Sequence, residues 1–409
     1  MARNNDIIVG LDLGTTKICA LVGKVRDNGI DIIGIGSSPS SGIKKGIIVD
    51  IDAAIEATRY AIKEAELMSG YKIDNVYAGI SGSHVSSFND EGMCALKGQT
   101  VTQKHIDRAI EVAQTTKMDP NRHVLHVIPR QFIIDGQRGI KSPIGMSGQR
   151  LESMVHIVTA NAASVDNIRR CAERAGVYVS EIVLETIASS YAVLSEDEKE
   201  LGVALLDIGG GTSDLTMFYE GSVVYSAVIP IGGNHITQDI AQCLRTPPYA
   251  AEELKKSYGY ALASMVERDS YVDIPVVGGR GSQNIPKNLL AEVIEARMKE
   301  TLTIINSELK KSEYYQLFSS GIVLTGGTSL LKGIVELSDM IFDMPVRKGC
   351  PTNFGGLKNI VQNPIYSTAV GLIIHGSRSE RPTSRFVTKG KGFYDKVRNN
   401  MQIWYEELF

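Results

Sequence analysis

The chain has 409 residues, 43% hydrophobic and 22% charged, with a formal net charge of −3. That length exceeds what one ordinary core fills and calls for several subdomains, while the near-neutral charge gives no global field for nucleic acid. Five scattered cysteines without a CxxC pair suggest neither a zinc knot nor a disulfide framework, and no apolar run approaches the roughly 20 residues that span a bilayer. Residues 1–14 run from a polar lead into an apolar strand with no signal-peptide core, so the expectation is a cytosolic protein.

In chain order, residues 7–13 read as an apolar strand carrying Asp12, followed by Gly14, Thr15, Thr16 and Lys17 and by strands at 18–23 and 31–36. Residues 51–68 place Ala54, Ile55, Thr58, Ala61, Ile62, Ala65 and Met68 at a helical period. Residues 83–160 combine strand-like pieces at 124–128 and 154–159 with a helix at 103–115, an inserted α+β subdomain. The opening grammar then returns. A strand at 201–208 carries Asp207 and leads into Gly209, Gly210, Gly211, Thr212, Ser213 and Asp214, two more strands at 215–219 and 222–229, and a helix near 235–244. Such a repeat predicts a duplicated α/β fold whose two lobes face each other across a shared cleft. A second insertion, 232–302, reads as mainly helical, with a Gly-Gly-Arg-Gly loop inside 276–285. A strand from Ile322 runs into Thr325, Gly326, Gly327, Thr328 and Ser329, a turn expected to open a helix. The last globular element lies at 367–375.

The two turns suit a triphosphate. Glycine lets backbone approach an anion closely, and the amides and threonine hydroxyls then point at it. Gly14, Thr15 and Thr16 would do this from one lobe, and Gly209, Gly210, Gly211 and Thr212 from the other. Asp12 and Asp207, ending their strands beside these turns, suit a magnesium ion held mainly through water and phosphate oxygens. Lys17 either touches phosphate or points away along its strand. The turn at Gly326, Gly327 and Thr328 would lie against adenosine or the first phosphate. Glu252 and Lys255, one helical turn apart, either reach a ribose and base edge or form a solvated ion pair. His123 and His126 alternate as on a strand without further ligands nearby, which favours structural histidines over a metal site.

Together these segments resemble the actin, DnaK and sugar-kinase superfamily. Gly10-Leu-Asp-Leu-Gly-Thr-Thr16 and Leu206-Asp-Ile-Gly-Gly-Gly-Thr212 look like its two phosphate motifs, and Leu324-Thr-Gly-Gly-Thr-Ser329 like its adenosine motif. Glu185 to Ala192 and Ser367 to Leu372 are similar to the two helices that connect the lobes beneath the cleft. Ser81-Gly-Ser-His84, His126-Val-Ile-Pro129, Ile140 to Met146, Arg150-Leu-Glu152 and Met344 to Pro351 resemble the FtsA family of cell-division proteins in particular. The resemblance implies ATP and Mg2+ as cofactors, an FtsA-type first insertion used in filament contacts, and a second insertion that receives the FtsZ C-terminal tail through basic residues such as Arg297. Glu185 stands where the superfamily often has a residue orienting the attacking water; alternatively it packs at a helix start.

Phe393, Val397, Met401, Trp404, Tyr405 and Leu408 recur at spacings of four and three, giving one apolar stripe opposite Asp395, Lys396, Arg398 and Glu406. This amphipathic helix would lie in a membrane interface rather than span it, with Arg378, Arg381, Arg385, Lys389 and Lys391 drawn to anionic lipid. Packing of that helix on a protein surface is the alternative; the resemblance, which implies a membrane-targeting helix here, favours the membrane.

The expected fold class is α/β, a two-lobed actin-like ATPase fold with two inserted subdomains. Residues 1–82 and 161–198 would form the first core lobe, 83–160 the FtsA-type insertion, 199–231 and 303–375 the second core lobe, and 232–302 the helical insertion. Residues 376–392 would be a flexible linker and 393–409 the membrane helix. The implied function is an ATP-binding adaptor that polymerises, tethers FtsZ filaments to the cytoplasmic membrane face at the septum and recruits later division proteins. Its ATPase activity would be slow at most. The rivals are a PilM-like pilus-assembly scaffold and a small-molecule kinase of the same fold.

Overall fold

A computed structural model describes residues 6–27, 29–115, 119–278 and 281–378. In the first lobe, β1 (Ile7–Leu13), β2 (Lys17–Arg26) and β3 (Gly29–Pro39) form an antiparallel meander. A short hairpin, β4 (Ile43–Lys44) and β5 (Ile47–Ile48), leads to α1 (Ile51–Ser69), which Asp50 caps by accepting the Ala53 amide. Then come β6 (Asn75–Ile80), β7 (Val85–Ala95), α2 (Gln103–Thr115), β8 (Arg122–Ile134), β9 (Gln137–Ile140) and β10 (Arg150–Asn161). The chain returns through α3 (Ala162–Ala175), β11 (Tyr178–Leu184), α4 (Glu185–Val193) and α5 (Glu196–Leu201).

The second half begins with β12 (Val203–Ile208), β13 (Ser213–Tyr219) and β14 (Ser222–Ile229), followed by α6 (Gly233–Cys243) and α7 (Pro248–Tyr258). A hairpin of β15 (Tyr271–Pro275) and β16 (Ser282–Pro286) precedes α8 (Lys287–Leu309), so the second insertion carries a small sheet beside its helices. The chain continues through β17 (Ile322–Thr325), α9 (Ile334–Phe342), β18 (Val346–Lys348), β19 (Gly355–Gly356), α10 (Lys358–Val361) and α11 (Ser367–Arg378).

The first-lobe sheet runs β11-β6-β1-β2-β3-β19 and the second β14-β13-β12-β17-β18. Each contains a three-strand antiparallel meander extended by two parallel strands on the side of its first strand, and the first lobe adds β19 parallel to β3 at the other edge, so the duplication in the sequence is a duplication of topology. The first strand of each meander is buried almost throughout, which explains near-continuous apolar runs instead of alternation.

Two helices join the lobes. α4 and α11 cross so closely that a Cβ on Gly371 would lie 1.8 Å from the Ala188 carbonyl oxygen, and one on Gly10 of β1 would lie 2.5 Å from that of Ala369. Only glycine fits at either contact. The run from Ser367 to Gly376 is buried throughout, and the helix reaches Arg378. Residues 376–378 therefore belong to this helix rather than to the expected linker, because Gly376 packs where a Cβ would meet the Tyr77 ring at 2.5 Å. Residues 379–409, with the expected linker and the stripe from Phe393 to Leu408, lie outside the described residues.

The first insertion is a sheet of order β7-β10-β8-β9 with α2 on one face and an apolar core of its own around Ile106, Ile110, Phe132, Leu151 and Ile157. It meets β14 of the second lobe through polar groups. Ser87 donates to the Ser226 carbonyl at 2.6 Å and Asn89 to that of Val224 at 3.1 Å. Buried His156 bridges Asn89 and Ser226 Oγ at 2.8 and 2.7 Å, and burial holds its pKa down at about 3, so it bridges as a neutral ring. Replacing Gly371 by valine should cost about 3 kcal/mol by forcing α4 and α11 apart, read as a lower urea midpoint. An unchanged midpoint would contradict the close crossing.

Candidate functional site

The two glycine turns face one another. Gly14 sits between β1 and β2 where a Cβ would lie 2.8 Å from the Lys17 carbonyl. In the second turn the Gly209 amide donates to the Thr212 carbonyl at 2.9 Å. A Cβ on Gly210 would fall 1.8 Å from Thr16 Oγ1, and one on Gly211 would fall 2.6 Å from Thr15 Oγ1. The threonines of one lobe thus rest on the glycines of the other.

The adenosine-type turn joins at one end. Thr328 donates to the Gly209 carbonyl at 3.0 Å, and a Cβ on Gly326, whose φ is +82°, would lie 2.2 Å from Asp207 Oδ1. Gly327 follows it, and the turn opens a short 3-10 helix, Gly327–Leu330, before α9 starts at Ile334; left-handed Gly333 separates the two. The Gly233 and Asn234 amides at the start of α6 donate to the Gly209 and Gly210 carbonyls at 2.9 and 2.8 Å. Lys255 binds Glu252 at 2.6 Å, Thr237 Oγ1 at 2.8 Å and the Gly233 carbonyl at 3.0 Å, and its side chain is only 12% exposed. Glu252 and Lys255 are therefore not a solvated helix face. They line one wall with Gly233, Thr328 and Gly209.

Four carboxylates occupy this cleft. Asp207 accepts from Ser189 of α4 at 3.0 Å and Thr368 of α11 at 3.4 Å, and burial followed by the Asp214 charge pushes its pKa up to about 7. Burial likewise raises Asp12 to about 6, with Lys17 opposing. Asp214 accepts from Ser81 at 2.5 Å and is also raised to about 6 by burial. Glu185, the first residue of α4, is pushed well above the ordinary range by burial and then by Asp12, Asp214 and Asp207. A cation placed among these acids would favour their ionised forms, and carboxylate oxygens suit magnesium. Among the described residues no three His, Cys, Asp or Glu side chains form a metal-holding group. Magnesium here would take most of its ligands from water and phosphate.

Lys17 donates to the Ile365 carbonyl at 2.9 Å and lies over the Tyr366 ring, so its ammonium is turned from the turn that precedes it, although its charge still reaches Asp12. His126 is structural: its Nε2 accepts the Leu184 amide at 2.9 Å, fixing the backbone just before Glu185. Arg297 is not a free cation. It forms a two-pronged ion pair with Asp239 of α6 and a further pair with Glu300.

Sequence reasoning missed Asp214 and Ser81. Asp214 had a readable signal, since it pairs directly with Asp207 across the β12–β13 turn and so shares its face of the sheet. Ser81 had none, because its partner lies 133 residues away.

The raised acids give a sign for stability against pH. The unfolded Asp207 ionises near 3.8 and the folded one near 7, so its stabilising protonation is fully present below pH 3.8 and lost as pH rises to about 7. Without nucleotide or magnesium the protein should lose roughly 1–2 kcal/mol between pH 6 and pH 8, with a smaller loss in Asp207→Asn. Denaturant melts at the two pH values check this, and identical slopes in parent and variant would refute it.

Two family models match the chain: cell division protein FtsA over residues 204–371, and the SHS2 domain inserted in FtsA over residues 82–159. The cell division protein FtsA of Pseudomonas aeruginosa is 44% identical over 392 residues, which is 96% of this chain and 94% of that protein. Among solved structures, the PilM-PilN type IV pilus biogenesis complex matches with a TM-score of 0.66 at 16% identity, covering 90% of this chain and 98% of that one. MreB5 of Spiroplasma citri bound to ADP matches with a TM-score of 0.57 at 16% identity, covering 91% and 96%. The structural likenesses establish the actin-like fold. The sequence identity, sustained over nearly the whole length, establishes descent: the chain belongs to the FtsA family of cell division proteins.

Proposed function

We propose that this protein binds ATP with Mg2+ between its lobes and uses the bound state to control assembly of an actin-like polymer that tethers FtsZ filaments to the cytoplasmic membrane face at the septum. The observation that carries the reading is the meeting of the two glycine-threonine turns over three buried carboxylates, Asp12, Asp207 and Asp214, with half-buried Glu185 beside them. Amides and hydroxyls of Gly14, Thr15, Thr16, Gly209, Gly210, Gly211 and Thr212 would bind the phosphates. Gly326, Gly327, Thr328, Glu252 and Lys255 would bind the nucleoside side. Asp12 and Asp207 would hold magnesium through water, the cation supplying the positive charge that lets the cleft carboxylates ionise.

Glu185 would orient water at the far end. With its pKa raised by burial and three neighbouring acids it is a poor base until a cation is present, which suits slow hydrolysis and a switch rather than rapid turnover. MreB5 of Spiroplasma citri, which shares the fold, is bound to ADP, and this supports a nucleotide-binding reading. The second insertion would receive the FtsZ C-terminal tail. Because Arg297 is already paired, an acidic tail segment would have to displace Asp239 or use neighbouring groups. Other division proteins would be recruited to the assembled polymer.

The stripe Phe393, Val397, Met401, Trp404, Tyr405 and Leu408 would anchor the polymer peripherally, many weak copies adding up to stable attachment. The intact protein should therefore float with anionic vesicles, and Trp404→Glu should reduce bound protein by about tenfold or more. Flotation indifferent to that change would remove the membrane role and favour a scaffold without an anchor.

A further inference from the structure

The β4–β5 hairpin carries a feature that phosphate binding by the two turns does not use. Ile43 pairs with Ile48 and Lys44 with Ile47, leaving Lys45 and Gly46 as a two-residue loop with φ of +49° and +74°. Both left-handed, they form the loop type that favours Asn-Gly or Gly-Gly. A lysine in its first position is conformationally disfavoured, the kind of local strain that persists where a side chain is needed.

The loop tip is wedged between the lobes. The Gly46 amide donates to Thr15 Oγ1 at 3.1 Å. A Cβ on Gly46 would lie 2.6 Å from the Ser81 carbonyl oxygen, and one on Gly211 would lie 2.9 Å from Lys45 Cα. The second glycine turn thereby acquires a direction: Gly209 touches Thr328 and Gly233 on the nucleoside wall, whereas Gly211 touches Thr15 and the hairpin tip. The hairpin stands at the end where a third phosphate would lie.

The two lysines placed at the site above are already committed. Lys17 is bound to the Ile365 carbonyl and Lys255 to Glu252, while the exposed Lys45 side chain has no ion pair or hydrogen bond among the described residues. Ser81, whose carbonyl packs on Gly46, donates through its hydroxyl to Asp214, so tip and acid share one support.

We propose that the Lys45-Gly46 tip is the sensor of the third phosphate, with the Lys45 ammonium pairing with it and the Thr15 hydroxyl, already accepting from the Gly46 amide, donating to it. The inference rests on the nucleotide reading above. A nucleoside diphosphate would leave Lys45 unpaired and the tip held only by its contacts with Thr15, Ser81 and Gly211.

The experiment is an equilibrium titration of the full chain with a non-hydrolysable ATP analogue and with ADP, both with Mg2+. Lys45→Gln should weaken the triphosphate about tenfold, the worth of one charge-assisted contact, and leave ADP within about twofold. Lys45→Arg should keep the preference for triphosphate. The neighbouring Lys44→Gln should change neither affinity. Lys45→Gly, which relieves the left-handed strain, should melt no lower than the parent yet lose the triphosphate preference, separating sensing from folding. Equal weakening of both nucleotides in Lys45→Gln, or no weakening, overturns the sensor while nucleotide binding stands. Failure of the unaltered protein to bind either nucleotide overturns both readings.

Discussion

Burial of Asp12, Glu185, Asp207 and Asp214 around the meeting turns is the constraint on which the rest of the site depends, with repulsion from neighbouring acids added at Asp207 and Glu185. Each carboxyl is delivered by a different element: the end of β1, the start of α4, the end of β12 and the start of β13. Together they sit where water is scarce and where no basic side chain pairs directly with any of them among the described residues. Burial raises the pKa of all four, to about 6 at Asp12 and Asp214 and about 7 at Asp207, and neighbouring acids push Asp207 and Glu185 further. A cleft of this kind is stable with its acids neutral or with a cation among them. Ionisation without a counter-charge is the costly state, which makes occupancy and stability one property.

The same residues tie the site to both halves of the protein. Asp207 belongs to the second lobe but accepts from Ser189 and Thr368, which lie on the two helices joining the lobes. Asp214 belongs to the second lobe but accepts from Ser81 of the first. A change in charge at either carboxylate alters a bond between lobes. The glycines at the α4–α11 crossing and on the second turn keep those bonds short, since any side chain there would separate the elements by ångströms.

The first insertion extends this coupling outward. Its base packs into the first lobe through Leu125, Ile128, Val158 and Ala160, an apolar contact that holds it to that lobe. Its contact with β14 is polar, through Ser87, Asn89, His156 and Ser226 and through Ser222 donating to the Arg130 carbonyl, while Lys141 pairs with Glu200 and Arg130 reaches Tyr314. The paired edge also leaves no free carbonyls at Val224 and Ser226 for another strand to use.

The sequence by itself determined the duplicated α/β fold, the two phosphate-type turns and the helices beneath them. These features are written in contiguous residues: an apolar strand, a glycine that admits close backbone approach, a helical period. It also places Asp12 and Asp207 beside the turns, because each comes at the end of a strand that runs into its turn. Tertiary structure alone decided what those residues touch. Ser81 and Asp214 meet across lobes, Lys17 turns to Ile365, Arg297 is taken by Asp239, and Lys45 arrives at the second glycine turn. Local pattern records backbone conformation and burial, but partners distant along the chain leave no periodic trace, and the direction of a flexible charged side chain is set by whichever partner the fold brings within reach.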